Sequence, residues 1–157
     1  MFHHPKPGMT LRTATPLDAE RLLSWRNDPA TRSNSFTTDL VSLEQHTRWL
    51  GQVLNDPSRT LLVAEWEGEA VGTVRLDYSD DQCELSWTVA PECRQRGYGR
   101  AMVALAIDQA SCTKVIAKIK SDNAASQQIV RALGFTEVAH EHGQAVWARM
   151  KTRAPLT

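Results

Sequence analysis

The sequence predicts an α/β (α+β) fold, a mixed and mostly antiparallel central sheet of six to seven strands flanked by about four helices. Three observations predict it. Two capped helix starts come early, the apolar period changes from helical to alternating in mid-chain, and Gln82 to Ile119 reads strand, helix, strand. Within one sheet such a run closes as a right-handed parallel crossover, here after the strand ending at Val89. With 157 residues, no internal repeat and no Pro/Gly/Ser linker, a single domain over 1–157 is expected, with 1–9 disordered or extended.

The elements follow in order. After an extended stretch at 10–14, Thr15-Pro16-Leu17-Asp18 has the form of a capping box with proline at the first helical position. A helix should run from there to about Asn27, where Asn27-Asp28-Pro29 stops it. Ser42-Leu43-Glu44-Gln45 opens a second helix with Leu43, Thr47, Leu50 and Leu54 on one face, ended by Asn55-Asp56-Pro57. Thr60 to Trp66 and Ala70 to Asp77 are β-rich runs around Glu67-Gly68-Glu69, which predicts a hairpin. In Gln82 to Val89, Cys83, Leu85, Trp87 and Val89 alternate with Glu84, Ser86 and Thr88, so one face is core and the other carries a carboxylate and two hydroxyls. An apolar helix follows from about Tyr98 to Ala110, then a strand at Lys114 to Ile119 and a helix at Asn123 to Leu133. A hairpin of Phe135 to Ala139 with Gln144 to Met150, turning at His142-Gly143, closes the chain.

Composition excludes several classes of function. Lysine plus arginine total 18 and aspartate plus glutamate total 18, so no global positive field exists to bind nucleic acid or a membrane surface. At 41% hydrophobic and 23% charged the chain reads as globular. No apolar run approaches the ~18 residues of a spanning helix, and Met1 to Gly8 lacks a signal-peptide core, so a soluble cytoplasmic protein is expected. Cys83, Cys93 and Cys112 form no C-x-x-C pair, and His3, His4, His140 and His142 fall in a terminus or beside a turn, so neither a disulfide framework nor a metal site is expected.

Neutrality conceals a division. Arg94-Gln95-Arg96-Gly97-Tyr98-Gly99-Arg100 holds three arginines and no acid, whereas Arg75 to Glu84 holds Asp77, Asp80, Asp81 and Glu84 against one arginine. The basic loop follows a strand and opens a helix. Its glycines allow a tight turn and close approach to a ligand, helix-start N–H groups suit an anion, and the arginines add charge-assisted donors for phosphates. A Rossmann site fits poorly, because the loop comes late, Met102 fills the third glycine position and Ile119 stands twenty residues after Gly99, where an acid is needed. A basic solvated turn is the other alternative.

Val89-Ala90-Pro91-Glu92-Cys93-Arg94-Gln95-Arg96-Gly97-Tyr98-Gly99 closely resembles the acetyl-CoA signature of the GNAT N-acetyltransferase superfamily. Asn123-Ala124-Ala125-Ser126 with Leu133-Gly134-Phe135 resembles its second signature. The resemblance spans Leu11 to about Met150 and implies the GNAT fold, with acetyl-CoA as co-substrate and no metal. It implies backbone contacts from Thr88 and Val89 to the pantetheine arm, a pyrophosphate cradle from Arg94, Gln95, Arg96, Gly97, Tyr98, Gly99 and Arg100, and a polar pantetheine contact from Asn123. If Asn123 caps its helix, Ser126 lies over the same turn and both face the cleft.

Transfer of acetyl to an amine needs a base, donors for the carbonyl oxygen and an acid for the departing thiolate. Glu84 resembles the carboxylate that many members use as base, which makes the acidic stretch of 75–84 the place where an amine would be received and deprotonated, and an N–H near Thr88 or Val89 would serve the carbonyl. The tyrosine that many members carry as acid is replaced by Val130. Ser126 is the alternative acid by resemblance to the ribosomal-protein N-terminal acetyltransferases, or else a small packing residue. Tyr98 reads as a packing or phosphate-side residue, and Tyr78 as either.

Leu22-Leu23-Ser24-Trp25-Arg26-Asn27-Asp28 and His46-Thr47-Arg48-Trp49-Leu50 look like the branch of amino-sugar nucleotide acetyltransferases. Trp25 would then stack on a sugar or base and Arg26 pair with a nucleotide phosphate, with Trp25 and Trp49 as helix core the competing assignment. The expected activity is acetyl transfer to a primary amine by direct attack in a ternary complex, the acceptor being a small-molecule amine or nucleotide sugar. The alternatives are a protein N-terminal or other small amine, or a non-catalytic acyl-CoA-binding domain. A homodimer is among the expected partners, nucleic acid and membrane are not.

Overall fold

Local signals set most of the boundaries. A computed structural model describes residues 7–151. Strand β1 (Thr10–Thr13) leads into the Thr15 capping box, which forms with both reciprocal hydrogen bonds, but over a 3-10 turn at Pro16–Asp18. Helix α1 (Ala19–Arg26) continues from it. Arg12 grips Asp18 through both carboxylate oxygens at 2.8 and 2.7 Å, and that hydrogen bond holds the buried Asp18 carboxyl below its usual range despite desolvation. Of the 1–9 segment, residues 1–6 and with them His3 and His4 lie outside the described residues, and Met9 packs into the main core.

Two expectations for the helical layer need correction. Asn27-Asp28-Pro29 does not only stop α1: the Asp28 side chain accepts from Thr31 N–H, Pro29 takes the first helical position, and a short fifth helix, α2 (Pro29–Ser33), follows. Helix α3 (Leu43–Leu54) starts at the Ser42 capping box as read, but its buried residues are His46, Leu50 and Val53, while Leu43 and Thr47 are exposed. Leu50 and Leu54 pack as read, but the apolar count took Leu43 and Thr47 for the face in place of the buried His46 and Val53.

The sheet has seven strands in the order β1-β2-β3-β4-β5-β7-β6. Strands β2 (Arg59–Trp66) and β3 (Glu69–Ser79) join through Glu67 and Gly68, both left-handed at φ 53° and 79°, the two-residue turn that matches strand twist. Strand β4 (Gln82–Val89) has the bounds read from its alternation. A 3-10 turn, the basic loop and α4 (Tyr98–Gln109) carry the chain over one face to β5 (Lys114–Lys120), which pairs parallel with β4. Helix α5 (Ala124–Ala132) and the hairpin of β6 (Thr136–Glu141) and β7 (Gln144–Met150) complete the fold. All other strand pairs are antiparallel.

Two cores flank the sheet. On one side Met102, Val103 and Ile107 of α4 meet Val74, Leu76, Cys83, Leu85 and Val115. On the other, Leu22, Trp25, Leu50 and Val53 pack on Leu61 and Val63. The Cys83 thiol, buried and beside Cys112, is pushed up to about 12 by desolvation, and all three cysteines are free.

Candidate active site

The β4–β5 ladder runs only from Gln82↔Lys114 to Leu85↔Ala117, although both strands continue. On its other edge β4 stays paired with β3 as far as Val89↔Gly72. The sheet therefore parts beyond Leu85, leaving one edge of Ser86 to Val89 outside any strand pair among the described residues, the kind of edge an extended amide-bearing chain can join. Thr88 and Val89 lie on it.

At the end of this edge stands the start of α4. Gly97 occupies the cap position in the left-handed region at φ 81°, two residues after Gln95 at φ 62°. No side chain caps the helix and no acid lies in its first turn. Its ladder begins where Ala101 N–H donates to Gly97 O at 3.2 Å, so the N–H groups of Gly99 and Arg100 precede it. By contrast α3 is capped by Ser42 and carries Glu44 in its first turn. An uncapped, acid-free helix start beside arginines fits a diphosphate. A Cβ at Gly99 would come within 2.9 Å of Ile129 Cδ1 and 3.3 Å of Val89 Cγ2, so this glycine lets α4 approach β4 and α5.

The expected loop residues are not equivalent. Arg94 Nη2 donates to Asp28 Oδ2 at 2.7 Å and Thr31 Oγ1 at 2.8 Å. Burial raises the Asp28 carboxyl, but the bonds from Arg94 and Thr31 N–H outweigh it and hold the group below the usual range. Tyr98 is buried in the main core with its ring 5.6 Å from Trp66, so only its backbone faces the helix start.

The opposite side of β4 bounds a cavity of about 750 Å³. Glu84, Ser86 and Thr88 line it together, as their alternation predicted, and Asn123 and Ser126 join from α5. Asn123 Oδ1 accepts from Ser126 N–H at 3.2 Å, so it caps α5, and both residues reach the cavity. Val130 is fully buried. Glu84 Oε1 lies 3.3 Å from Lys118 Nζ across the parting strands. Trp25 and Arg26 line the cavity too, but Trp25 is 5% exposed and belongs to the second core.

Sequence reasoning missed Arg75, Lys118 and Lys120, and did not place His46 or Trp49 in the site. All five line the cavity. Strand alternation held the signal: register sets Thr73 opposite Thr88 and Arg75 opposite Ser86, on the face of Glu84. The acidic reception area needs correction. Asp77 is tied to Arg59 and Arg75 at 3.3 and 3.2 Å, Asp81 accepts from Thr113, and among the described residues Glu84 is the one carboxylate that lines the cavity, against Arg26, Arg75, Lys118 and Lys120. Arg26 and Lys120 donate to the carbonyls of Thr37 and Ser33 and have no ion pair among the described residues. Burial, then Arg32, lowers the Arg26 pKa, and burial, then Arg26, lowers that of His46. Arg26 Nη1 and His46 Nε2 are buried without a hydrogen-bond partner among the described residues. No cluster of metal-ligating side chains exists among the described residues.

An open strand edge leading to an anion-ready helix start, with a polar cavity behind the same strand, suits group transfer from a phosphate-bearing donor to a second substrate. Residues 9–136 match the acetyltransferase (GNAT) domain, and the chain belongs to that family. It is an N-acetyltransferase with acetyl-CoA as donor. The ribosomal-protein-alanine N-acetyltransferase of Brucella melitensis is similar at 29% identity and TM-score 0.75, over 90% of this chain and 99% of that one. The spermidine N-acetyltransferase of Vibrio cholerae, solved with CoA and spermine, shares the fold at TM-score 0.81 and 19% identity, over 90% of this chain and 95% of that one. An aminoglycoside acetyltransferase solved with coenzyme A shares it at TM-score 0.75 and 20% identity, over 92% and 95%. No curated protein matches the sequence.

Proposed function

We propose that the chain acetylates the primary amine of a small anionic acceptor, a nucleotide-linked amino sugar, by direct attack in a ternary complex. The observation that carries this reading is the charge of the cavity. Once Arg75 is set against Asp77 and Lys118 against Glu84, Arg26 and Lys120 remain as cations facing no carboxylate among the described residues. A polyamine would meet repulsion there, whereas a diphosphate supplies the missing partner. Trp49, half-buried on the same wall with the Arg75 guanidinium 5.9 Å over its ring and the His46 ring 5.5 Å away, adds aromatic surface beside a sugar.

In this reading Glu84 takes the proton of the attacking amine, held toward the cavity by Lys118. As the C–N bond forms and the C–S bond breaks, an N–H of Thr88 or Val89 stabilises the charge gained by the carbonyl oxygen. Ser126 hydrogen-bonds the departing thiolate, whose modest basicity, pKa ~8.5, makes this step undemanding. Arg96 and Arg100 with the helix-start N–H groups receive the donor phosphates.

The activity of the similar Brucella protein supports a second reading, the α-amine of an N-terminal alanine of a protein. One assay separates them. Free-thiol release from acetyl-CoA is expected with UDP- or dTDP-linked amino sugars and not with spermidine. Release with ribosomal peptides that begin with alanine and none with nucleotide sugars would replace the first reading by the second.

A further inference from the structure

Arg94 opens the glycine loop, yet its guanidinium is bound to residues of the opposite substrate's wall. From Arg26 to Gln45 no residue is buried, although Asn34, Ser35, Phe36, Thr37 and Val41 line the cavity. A wall without an apolar anchor opens easily unless polar contacts hold it. Four attachments do so. The Asn27 side chain donates to Val41 O at 2.8 Å and accepts from Val41 N–H at 2.9 Å. Arg26 holds Thr37 O at 2.6 Å and Lys120 holds Ser33 O at 3.0 Å. The fourth, Arg94 to Asp28 and Thr31, is the one that comes from the donor loop.

We propose that Arg94 is a positioning residue for the acceptor. It fixes the wall at 28–41 against the donor loop, so the acceptor cavity is shaped from the donor side, and the phosphate contacts fall to Arg96, Arg100 and the backbone. This rests on the reading of the cavity as the acceptor site. Geometry supports the assignment: one nitrogen, Nη2, serves both wall residues, and Asp28 Oδ2 gathers Arg94 and the Thr31 N–H that begins α2. Withdrawing Arg94 to a phosphate would unfasten the wall when the acceptor must be held.

The test uses the full chain with Arg94→Met, Asp28→Asn and Arg96→Ala. Asparagine is itself a good cap, so Asp28→Asn removes the charge while keeping the start of α2, and it serves if Arg94→Met folds poorly. Hydrogen exchange over 29–41 is expected to quicken about tenfold in Arg94→Met and in Asp28→Asn, as loss of a charge-assisted bond implies, with acetyl-CoA affinity changed by no more than about twofold. The double variant should go no further than either single one. Arg96→Ala should do the reverse, weakening acetyl-CoA while the wall exchanges as before. With acetyl-CoA saturating and a UDP-linked amino sugar as acceptor, Arg94→Met should raise KM about tenfold and leave kcat nearly unchanged. Weaker acetyl-CoA binding in Arg94→Met with unaltered wall exchange makes Arg94 a phosphate ligand and overturns the proposal, as do additive effects in the double variant. If no nucleotide sugar is turned over, the acceptor reading fails alone, since exchange and donor affinity still decide the role of Arg94.

Discussion

The donor half and the acceptor half of the site share strand β4 but are held by different means. Eight of the twelve residues of α4 are buried, and its packing fixes the loop that would take the phosphates. On the acceptor side the run from Arg26 to Gln45 buries none and is tied by hydrogen bonds. The difference suits the two substrates. A constant donor is served by a backbone fixed in close packing, whereas an acceptor specific to this chain is read by side chains whose replacement does not disturb the core.

The sharpest break in the comparison lies at the seam. Glu84 sits where the halves meet, beside Lys118 and just before the strands part. Glu84→Gln is expected to lower kcat by about 10²- to 10⁴-fold, the range for losing a general base, and to leave acetyl-CoA affinity nearly unchanged. Calorimetry of donor binding beside single-turnover rates measures both. Full activity in the variant would falsify the base assignment.

A second test applies one substitution to both halves. At Gly72 a Cβ would lie 2.5 Å from the backbone oxygen of Thr88 and 2.6 Å from Met102 Sδ, between β3, β4 and α4. Backbone cannot yield as a flexible side chain can, so Gly72→Ala should cost about 1–3 kcal/mol. At Gly51, inside α3, a Cβ meets nothing within 4 Å. There alanine relieves the helix penalty of glycine, and Gly51→Ala should stabilise by about 0.5–1 kcal/mol. Urea unfolding of the two variants checks the sign. Two destabilised proteins, or two unaffected ones, would erase the packing contrast.

The same contrast explains what the sequence disclosed. Capping boxes at Thr15 and Ser42, the alternation of 82–89, and the glycines of the basic loop are local instructions, each acting within a few residues. They place most elements and the donor half. The acceptor cavity is assembled from Arg26, Arg75, Lys118 and Lys120, which only sheet register and the fold of α1 bring together, so its positive charge was hidden behind an acidic stretch of sequence. The face of α3 was misread for a related reason. Hydropathy counts His46 as polar, but burial makes it part of the wall.

That histidine gives the smallest effect and the one most confined to the acceptor half. His46 is 4% exposed, its ring 5.5 Å from that of Trp49. Desolvation, and after it the charge of Arg26, lowers its pKa below the usual 6.5. An unfolded chain therefore binds a proton in a range where the folded chain does not, so stability rises with pH through that window. The contribution is complete above about pH 6.5, the unfolded value, and is lost as the pH falls toward the folded value. Cys83 titrates near the other end of the scale, and Asp18, held down by Arg12, loses its contribution only below the usual carboxylate range. Between pH 7.5 and 5 the wild-type Tm should fall more steeply than that of His46→Gln, by roughly a few degrees. Hydrogen exchange over α3 and the adjoining wall should quicken first, while α4 keeps its protection. Parallel Tm curves would mean that His46 carries the same charge folded and unfolded, and that the acceptor half is no more sensitive to acid than the donor half.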